Sequence, residues 1–424
     1  MEDGLILGYD LCEEYSRISC YQAGELEPVD IEFVKRGNPC VMKTVICKKR
    51  GADEWLMGQE AYMAALNGEG IMVDKLLRLA AKNGTATIEG VCYTAKQLLM
   101  IYLQMTLNYV FQLYQEKKIR MIVVTMQNMN ETVLDILEHC LVEFGISKES
   151  IHILSHAECF AYFVLSQKKN MWSNLSALFD LTHEGLHYYE MGMARNVHPV
   201  LVRVHHESLE EGFSLDILEQ ASGKKLADSI MLSCAKRLLG KKTISGVYLS
   251  GMGMDRCQEW ATDFLSYICG RRKVYYSQNL FAKGAVYAAI DLLQKGNGYP
   301  FVFLCEGRIP ASVSMEVVER GTKKNLVIAP AGSSWYEAKT VMDLIPDRAD
   351  KLVMRITRIG ERTGRKISIG LEGFPARPNK TTRLRVFVRF LSEEIMQVRI
   401  EDKGFGEFFP ATDAVIEREF NLVK

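Results

Sequence analysis

The hydrophobic positions divide this 424-residue chain into a part where helices and strands alternate and a later part made of strands. In the middle of the first part, Ile119–Thr125 and Ser150–Leu154 are short apolar runs, which is typical of buried strands. Between them, apolar residues over 133–144 recur every three or four positions, which predicts a helix that Asn130 caps. The order strand, helix, strand predicts a βαβ crossover.

The same alternation extends on both sides of this crossover. Ser155 opens a further helix, and Ala177–Leu181 is a strand that leads through residues 182–185 into another strand. Near the start of the chain, Gly4–Asp10 and Ser16–Tyr21 predict two strands joined by a turn. Later predicted elements are two helices within Phe213–Gly240, a buried strand at Ser245–Leu249 and a helix over Asn279–Leu292.

One uncharged stretch, Gln97–Gln115, has the length of a membrane span. Its Gln104, Asn108 and Gln112 recur every four residues, so they form a polar stripe along one face of a helix. A membrane-spanning helix would bury these amides in lipid, which is unfavourable. Thr94 and Gln97 also fit a capping box. The pattern therefore predicts a helix packed within a soluble protein.

Beyond Pro300 the helical period disappears and a period of two replaces it. Leu352, Met354 and Ile356 alternate with more polar residues, and the same alternation recurs over 384–390 and 396–400. Such alternation predicts antiparallel sheet with one face buried and one face solvated. Lys295–Pro300 has the composition of a linker between the two parts.

Composition narrows the functional classes. The 52 basic and 52 acidic residues balance, which argues against a general nucleic-acid-binding protein. The 11 cysteines include no CxxC pair, so a reduced compartment is expected. Residues 1–9 lack the basic and apolar regions of a signal peptide. We therefore predict a cytoplasmic protein with no nucleic-acid or membrane partner.

Three stretches of the alternating part resemble the nucleotide-binding domain of DnaK-type heat-shock chaperones, members of the actin and sugar-kinase ATPase superfamily. They read TMQN at 125–128, SHAECFAYFVL at 155–165 and LFDLTHEGLHYYEM at 178–191. The resemblance implies an α/β chain with a two-lobed actin-like (ribonuclease-H-like) ATPase fold over residues 1–298. The two lobes would span about 1–172 and 173–294.

The strand-rich part resembles the peptide-binding β-domain of the same chaperones. The matching stretches are ISIGLEGFPARPNKTTRLRVFVRF at 367–390 and EIMQVRIEDKGFGE at 394–407. The resemblance implies an antiparallel β-sandwich over 299–424 that binds another protein or an extended peptide. The sequence ends soon after this match, so we expect no helical lid here. A purely structural role for this domain is the alternative.

The resemblance also assigns site positions, residue by residue. GYDLCEEYSRISCY at 8–21 lies on the family's first phosphate hairpin, and LFDLTHEG lies on the second. The implied cofactor is ATP or ADP with Mg²⁺. The implied catalytic positions are Asp10, Lys75, Glu158 and Asp180, and the implied nucleotide-binding positions are Cys12, Glu13, Glu14, Lys236, Arg237, Gly251 and Gly253.

Several of these positions also have a simpler interpretation. Glu158 completes a capping box with Ser155, and Asp10 and Asp180 can serve as turn residues at strand ends. Lys236 and Arg237 can be a solvated helix face. Three carboxylates at three matching positions favour an inherited site, without showing that it is active.

The phosphate-binding residues of the family are replaced here. Glu13 and Glu14 would point negative charge at the phosphates, and one like-charge contact near 4 Å costs on the order of 4 kcal/mol. In the second loop, Thr182, His183 and Glu184 replace glycines, which prevents close approach of the backbone. The leading hypothesis is therefore a chaperone-like pseudo-ATPase that binds proteins. An active, divergent ATP-hydrolysing chaperone is the alternative.

His183-Glu184-Gly185-Leu186-His187 matches the HExxH signature of zinc peptidases. That chemistry needs both histidines one turn apart on a helix, with the glutamate beside a metal-bound water. Here the motif lies between two predicted strands and contains a glycine. A zinc peptidase is therefore a remote alternative, and no metal ligand is assigned from the sequence.

Overall fold

The computed structural model describes residues 4–33, 39–116, 118–270, 272–294, 299–347, 350–361 and 363–423. It is a mixed α/β protein with several sheets. Two compact units are present: Met1–Ala194 with Val202–Pro300, and Arg195–Leu201 with Phe301–Lys424.

The first half of the first unit is built on a mixed sheet, in which β11, β10 and β1 are parallel and β2 is antiparallel to β1. Its strand order is β11-β10-β1-β2-β3, with β4 paired to β2. The elements are β1 (Leu5–Leu11), β2 (Tyr15–Tyr21), β3 (Val29–Asp30), β4 (Met42–Lys43), β5 (Ile46–Lys49), β6 (Trp55–Met57), α1 (Gly58–Leu66), β7 (Gly70–Val73), α2 (Leu76–Ala81), β8 (Thr85–Ile88), β9 (Val91–Thr94), α3 (Ala95–Tyr114), β10 (Ile119–Met126), α4 (Glu131–Glu143), β11 (Ile151–Ser155) and α5 (His156–Ser166).

The second half of this unit is built on another mixed sheet. Strands β16-β15-β12-β13-β14 follow one another in it, with β12 parallel to β15 and antiparallel to β13. The elements are β12 (Leu175–Thr182), β13 (Gly185–Ala194), β14 (Val200–Leu209), α6 (Ala221–Leu239), β15 (Ile244–Ser250), α7 (Thr262–Cys269), β16 (Lys273–Tyr276) and α8 (Leu280–Leu293).

Helix α8 packs closely on the first sheet and on α5. A Cβ atom at Gly284 would lie 2.0 Å from the carbonyl oxygen of Cys159 in α5. A Cβ atom at Gly8 in β1 would lie 2.0 Å from the carbonyl oxygen of Ala282. Only glycine permits backbones to approach this closely. These contacts fix α8 beside the ends of β1 and α5, where the candidate site lies.

The second unit consists of antiparallel strands. Its two four-stranded sheets have the orders β19-β18-β21-β22 and β20-β23-β24-β25. The elements are β17 (Phe301–Leu304), β18 (Ala311–Glu319), β19 (Thr322–Ala329), β20 (Thr340–Leu344), β21 (Lys351–Arg358), β22 (Arg365–Gly370), β23 (Leu384–Phe390), β24 (Ile395–Asp402) and β25 (Val415–Asn421).

The period of two predicted for this unit is confirmed. In β21, Leu352, Met354 and Ile356 are buried while the residues between them are exposed or half-buried. Gln397 in β24 is an exception, because its side chain is buried on the face predicted to be solvated. Its amide oxygen accepts a hydrogen bond from Arg389 Nε at 2.6 Å, which compensates for its removal from water.

Most local predictions for the first unit are also confirmed. Thr94 and Gln97 form the expected capping box at the start of α3, and Asn130 and Ser155 cap α4 and α5. None of the helices in the described ranges has the length and apolar character needed to cross a membrane. Of the predicted linker 295–300, residues 295–298 lie outside the described residues.

The two helices predicted within Phe213–Gly240 are present, and they are of different types. Residues Leu215–Glu219 form a short 3₁₀ helix, and a single α-helix, α6, follows it. Leu215, Ile217 and Leu218 pack against the core of this half, so their apolar spacing reflects burial of a tight turn. At Gly223, a Cβ atom would lie 2.0 Å from the carbonyl oxygen of Ile217, so the two elements are in close contact.

Candidate functional site

Two aspartates from different sheets line one small cavity in the first unit. Asp10 lies near the carboxyl end of β1, and Asp180 lies near the carboxyl end of β12. The cavity has a volume of about 20 Å³, which is space for about one water molecule. Its other lining residues are Cys12, Glu14, Tyr15, Arg17, Gln127, His156, Thr182, His183, Glu184, Met252 and Phe281.

Asp10 is the centre of a buried polar cluster. Its Oδ1 accepts hydrogen bonds from His156 Nε2 at 2.8 Å and from the Cys12 thiol at 3.3 Å. Its Oδ2 accepts from Arg17 Nη1 at 3.3 Å. The side chains of Asp10, His156 and Arg17 are 2%, 4% and 7% exposed, so these contacts are shielded from water.

Each partner reaches Asp10 for a structural reason. Arg17 lies opposite Asp10 in the antiparallel register of β1 and β2. His156 is the first residue of α5, directly after β11. The Phe281 ring stacks on the His156 ring at 3.9 Å with an interplanar angle of 7°, which fixes the orientation of the imidazole. The strand register thus positions Arg17 beside Asp10. The start of α5 and the packing of α8 position His156 beside it.

The two aspartates have opposite pKa shifts. For Asp10, burial alone would raise the pKa, but the charge and hydrogen bond of His156, together with Arg17, outweigh it and lower the pKa. For Asp180, burial dominates and raises the pKa to about 6, although His156 and Arg17 oppose this. Near neutral pH, Asp10 is ionised and pairs with the Arg17 guanidinium. Burial disfavours the ionised form of Asp180.

Carboxylates accept hydrogen bonds from backbone amides at the edge of this cavity. The Glu13 amide donates to Glu184 Oε1 at 3.1 Å, which joins the turn after β1 to the turn after β12. The Glu13 carboxylate in turn accepts from the Arg78 amide at 3.1 Å, at the start of α2. Burial raises the pKa of Glu13, while Arg78 opposes the shift. Two amides at this edge, those of Glu13 and Arg78, are therefore bound by the protein's own carboxylates.

A larger cavity of about 540 Å³ adjoins this turn. Lys75, Arg78, Glu13 and Glu14 are among the residues that line it. Lys75 immediately precedes α2 in a left-handed conformation, with φ of 52°. The predicted positions Lys75, Cys12, Glu13 and Glu14 are thus brought together around one concave surface of mixed charge.

Most of the first unit matches a known protein family. Residues 27–306, about two thirds of the chain, match the family described as "Family of unknown function (DUF5716) C-terminal". The chain belongs to the DUF5716 family. Residues 308–422 match a second description, "Domain of unknown function (DUF8552)". No curated protein matches the chain.

The DUF5716 match covers only part of the site. Asp180 and His156 lie within residues 27–306, and so does Glu184. The β1–β2 hairpin, with Asp10 and Arg17, lies before the match. The DUF8552 match begins near the start of the second unit and spans its two sheets.

The HEGLH motif of this DUF5716 protein lies on a β-hairpin. Thr182 pairs with Gly185 at the turn between β12 and β13. His183 stacks on Tyr15 at 5.6 Å, whereas His187 is buried and its Nδ1 lies 3.2 Å from His206 Nε2. The histidines are therefore not one helical turn apart, as the zinc-peptidase signature requires.

The remaining predicted positions lie away from the small cavity. Glu158 is buried in α5, and its amide donates to Ser155 Oγ at 3.2 Å. Lys236 and Arg237 are exposed on α6, and Arg237 pairs with Glu207 at 2.9 Å. None of these described side chains lines the cavity that contains Asp10 and Asp180.

The two predicted glycines pack on β12. A Cβ atom at Gly251 would lie 2.2 Å from the carbonyl oxygen of Leu181, and Gly253 contacts the Leu181 side chain. Gly251 also has φ of 89°, a conformation that favours glycine. Met252, between them, lines the small cavity. The segment that contains the two predicted nucleotide-binding glycines therefore places a methionine at the site.

Sequence reasoning missed two of the residues that bind Asp10, namely Arg17 and His156. Arg17 had a usable signal, because a hairpin closed by residues 12–15 places positions 10 and 17 opposite each other. His156 had a weaker one: a histidine at the first position of a helix that follows a buried strand. Gln127, which lies after β10 and contacts His187 at 2.9 Å, had no signal beyond its place in TMQN.

Proposed function

We propose that this protein is a chaperone-like pseudo-ATPase that acts as a protein-binding or scaffold protein. In this proposal the first unit has a two-lobed actin-like fold, and the second is an antiparallel β-sandwich. The meeting of the β1–β2 and β12–β13 hairpins at one cavity supports it, because the chaperone resemblance assigns both phosphate loops to these hairpins. Nucleotide binding is weak or absent in this protein.

The hydrogen bond from the Glu13 amide to Glu184 is the observation that most directly supports loss of nucleotide binding. In active members of the superfamily, loop amides bind the phosphates. Here the Glu184 carboxylate accepts a hydrogen bond from such an amide, and Glu14 and Asp180 line the same cavity. A phosphate entering it would meet several negative charges, each costing on the order of 4 kcal/mol near 4 Å. The space of about 20 Å³ beside Asp10 holds about one water molecule.

We expect the purified chain to bind Mg-ATP with a Kd weaker than about 1 mM, the upper end of common KM values, and to show no turnover. Isothermal titration with and without Mg²⁺, followed by a phosphate-release assay, measures both. The double variant Glu13→Thr/Glu184→Gly should bind at least about 10-fold more tightly, because removing one charge contact is worth more than the 1.4 kcal/mol of a tenfold change.

A matched control removes two exposed carboxylates elsewhere, as Glu60→Thr/Glu149→Gly, and should leave the affinity unchanged. The alternative, an active ATP-hydrolysing chaperone, predicts turnover by the unmodified chain. Turnover that Asp180→Asn abolishes would establish that alternative and overturn the pseudo-ATPase proposal.

Protein binding is assigned to the edge of one sheet in the second unit. Strand β19 lies at the end of its sheet, and residues 322–327 are exposed along it. Lys323 and Lys324 oppose strand addition over its first half, so the site is assigned to residues 325–329. Leu326 and Val327 are 38% and 51% exposed, so apolar side chains stand on both faces of this edge. A long exposed edge strand offers main-chain hydrogen bonds to an extended segment of another protein.

We expect the full chain to bind a permanently unfolded, reduced and alkylated polypeptide, with an affinity that ATP does not change. Lysine on an edge strand opposes strand addition, so Leu326→Lys/Val327→Lys should weaken binding at least about 10-fold. Fluorescence anisotropy of the labelled polypeptide measures the affinity.

The matched control, Val341→Lys/Ile345→Lys, adds the same charge to the other sheet, in its edge strand β20 and at the residue that follows this strand; both residues are exposed. It should bind like the unmodified chain. If the unmodified chain binds no polypeptide, or if both variants lose affinity equally, the β19 edge is not the site. Absence of binding by the unmodified chain would favour a purely structural role for this unit.

A further inference from the structure

Three side chains of different chemistry meet at the buried end of β1. Asp10 comes from the strand, Cys12 from the turn that follows it, and His156 from the start of α5. One carboxylate oxygen, the thiol sulfur and one imidazole nitrogen all lie within 4.8 Å of one another. Carboxylate, thiolate and imidazole are the three side-chain ligand types that zinc sites in proteins use.

The separations suit a common metal ion. Bonds of 2.0–2.3 Å to Zn²⁺ place tetrahedral ligand atoms roughly 3.3–3.7 Å apart. Here Cys12 Sγ lies 3.3 Å from Asp10 Oδ1 and 3.9 Å from His156 Nε2. The Asp10 Oδ1 to His156 Nε2 distance of 2.8 Å is that of a hydrogen bond, and it needs to lengthen by about half an ångström.

Neighbouring residues orient these three side chains. Arg17 binds the second oxygen of Asp10 at 3.3 Å and leaves Oδ1 directed towards His156 and Cys12. Phe281 stacks on the imidazole and fixes the plane of its ring. In metal sites, neighbouring residues of this kind orient the ligands.

The charge of the cavity also favours a cation. Asp10, Asp180, Glu14 and Glu184 are carboxylates that line it, and the cationic side chain lining it is Arg17. The hydrogen-bonded cluster places thiol and imidazole protons between the three ligand atoms. A divalent cation would take the place of those protons: the thiol proton is released to solvent, and the neutral imidazole binds through Nε2 with its proton on Nδ1.

We propose that Asp10, Cys12 and His156 bind one Zn²⁺ ion, with the fourth coordination position facing the small cavity. The cavity of about 20 Å³ accommodates one water molecule at that position. Sulfur and imidazole ligands favour zinc over Mg²⁺, which prefers an all-oxygen shell. This site shares no ligand with the HEGLH hairpin, and it does not depend on whether nucleotide binds.

Zinc and cobalt titrations of the chelator-treated full chain test the proposal. We expect one Zn²⁺ per chain and a thiolate-to-metal absorption band with Co²⁺. Cys12→Ser and His156→Asn should each weaken Zn²⁺ binding at least about 10-fold, the lower bound seen even for loss of an outer-shell partner. The controls Cys92→Ser and His139→Asn alter an exposed thiol and an exposed imidazole, and they should bind like the unmodified chain.

A second measurement uses the unmodified chain and so does not depend on variant folding. Zn²⁺ should slow alkylation of Cys12 at least about 10-fold, by peptide mass spectrometry, and leave alkylation of exposed Cys92 unchanged. Equal rates at Cys12 with and without Zn²⁺ would overturn the proposal. So would Zn²⁺ binding that folded Cys12→Ser and His156→Asn variants retain in full.

Discussion

We expect Asp10→Ala to lower the free energy of unfolding of the first unit by about 3–5 kcal/mol, the usual cost of removing one member of a buried ion pair. The variant leaves the Arg17 guanidinium, whose side chain is 7% exposed, without its carboxylate partner. It also removes the acceptor of the His156 and Cys12 hydrogen bonds. Urea unfolding with a chelator present measures the loss without a contribution from metal.

Asp180→Asn is the matched comparison, and it should have the opposite sign. Burial raises the pKa of Asp180 from 3.8 to about 6, so keeping it ionised in the folded state at pH 7 costs about 3 kcal/mol. Asparagine keeps a similar shape without that cost, and the variant should be the more stable one at pH 7.

The pH dependence follows from the sign of this shift. A group whose folded pKa is raised contributes stability below its unfolded pKa and loses that contribution as pH rises through the folded value. The advantage of Asp180→Asn should therefore be full above about pH 6 and vanish near pH 4. If both substitutions destabilise equally at pH 7, the contrast between the two aspartates is wrong.

We expect a comparable loss from Asp402→Ala in the second unit, again about 3–5 kcal/mol. The two oxygens of Asp402 accept from Arg377 Nη1 and Nη2, both at 2.7 Å, and the two side chains are 0% and 6% exposed. Asp402 also accepts from the Gly404 amide at 2.9 Å and from the Thr412 amide and hydroxyl. Alanine leaves the buried guanidinium without its carboxylate partner, with a hydrogen bond to the Pro410 carbonyl oxygen remaining, and it leaves the loop amides without their acceptor.

The second unit contains a natural control for this prediction. Asp343 and Arg385 form a similar two-point pair at 2.8 and 3.1 Å, but their side chains are 38% and 40% exposed. Asp343→Ala should therefore cost much less than Asp402→Ala, as is usual for exposed pairs. Hydrogen exchange of β23 and β24, together with urea unfolding, reports the stability of this unit. Equal losses from the two variants would contradict the importance of burial.

Acid should weaken the second unit through the same residue. Burial would raise the pKa of Asp402, but hydrogen bonds from Arg377, Gly404 and Thr412 outweigh it and hold the pKa well below 3.8. A lowered folded pKa contributes stability above the unfolded value, and this contribution is lost as pH falls towards the folded value. The unmodified chain should therefore lose stability below about pH 4, and Asp402→Ala should lack this component.

The sequence by itself determined the elements whose signals are local. The caps at Thr94, Asn130 and Ser155, the buried strands of the first unit and the period of two beyond Pro300 agree with the structure. These signals depend on residues within a few positions of one another, so the linear order contains them. The helix predicted near residue 215 is a 3₁₀ helix, a type that apolar spacing does not distinguish from an α-helix.

Only the tertiary structure decided which side chains share the candidate site. Asp10 and His156 are 146 positions apart, and the amide of Glu13 and the carboxylate of Glu184 are 171 apart. Their contacts depend on the register of two sheets and on α8, whose glycine at 284 permits close approach to α5. The sequence identified acidic replacements in two loops. The fold determined that one of those acids binds the other loop's amide, because such a contact depends on packing between distant elements and leaves no local pattern.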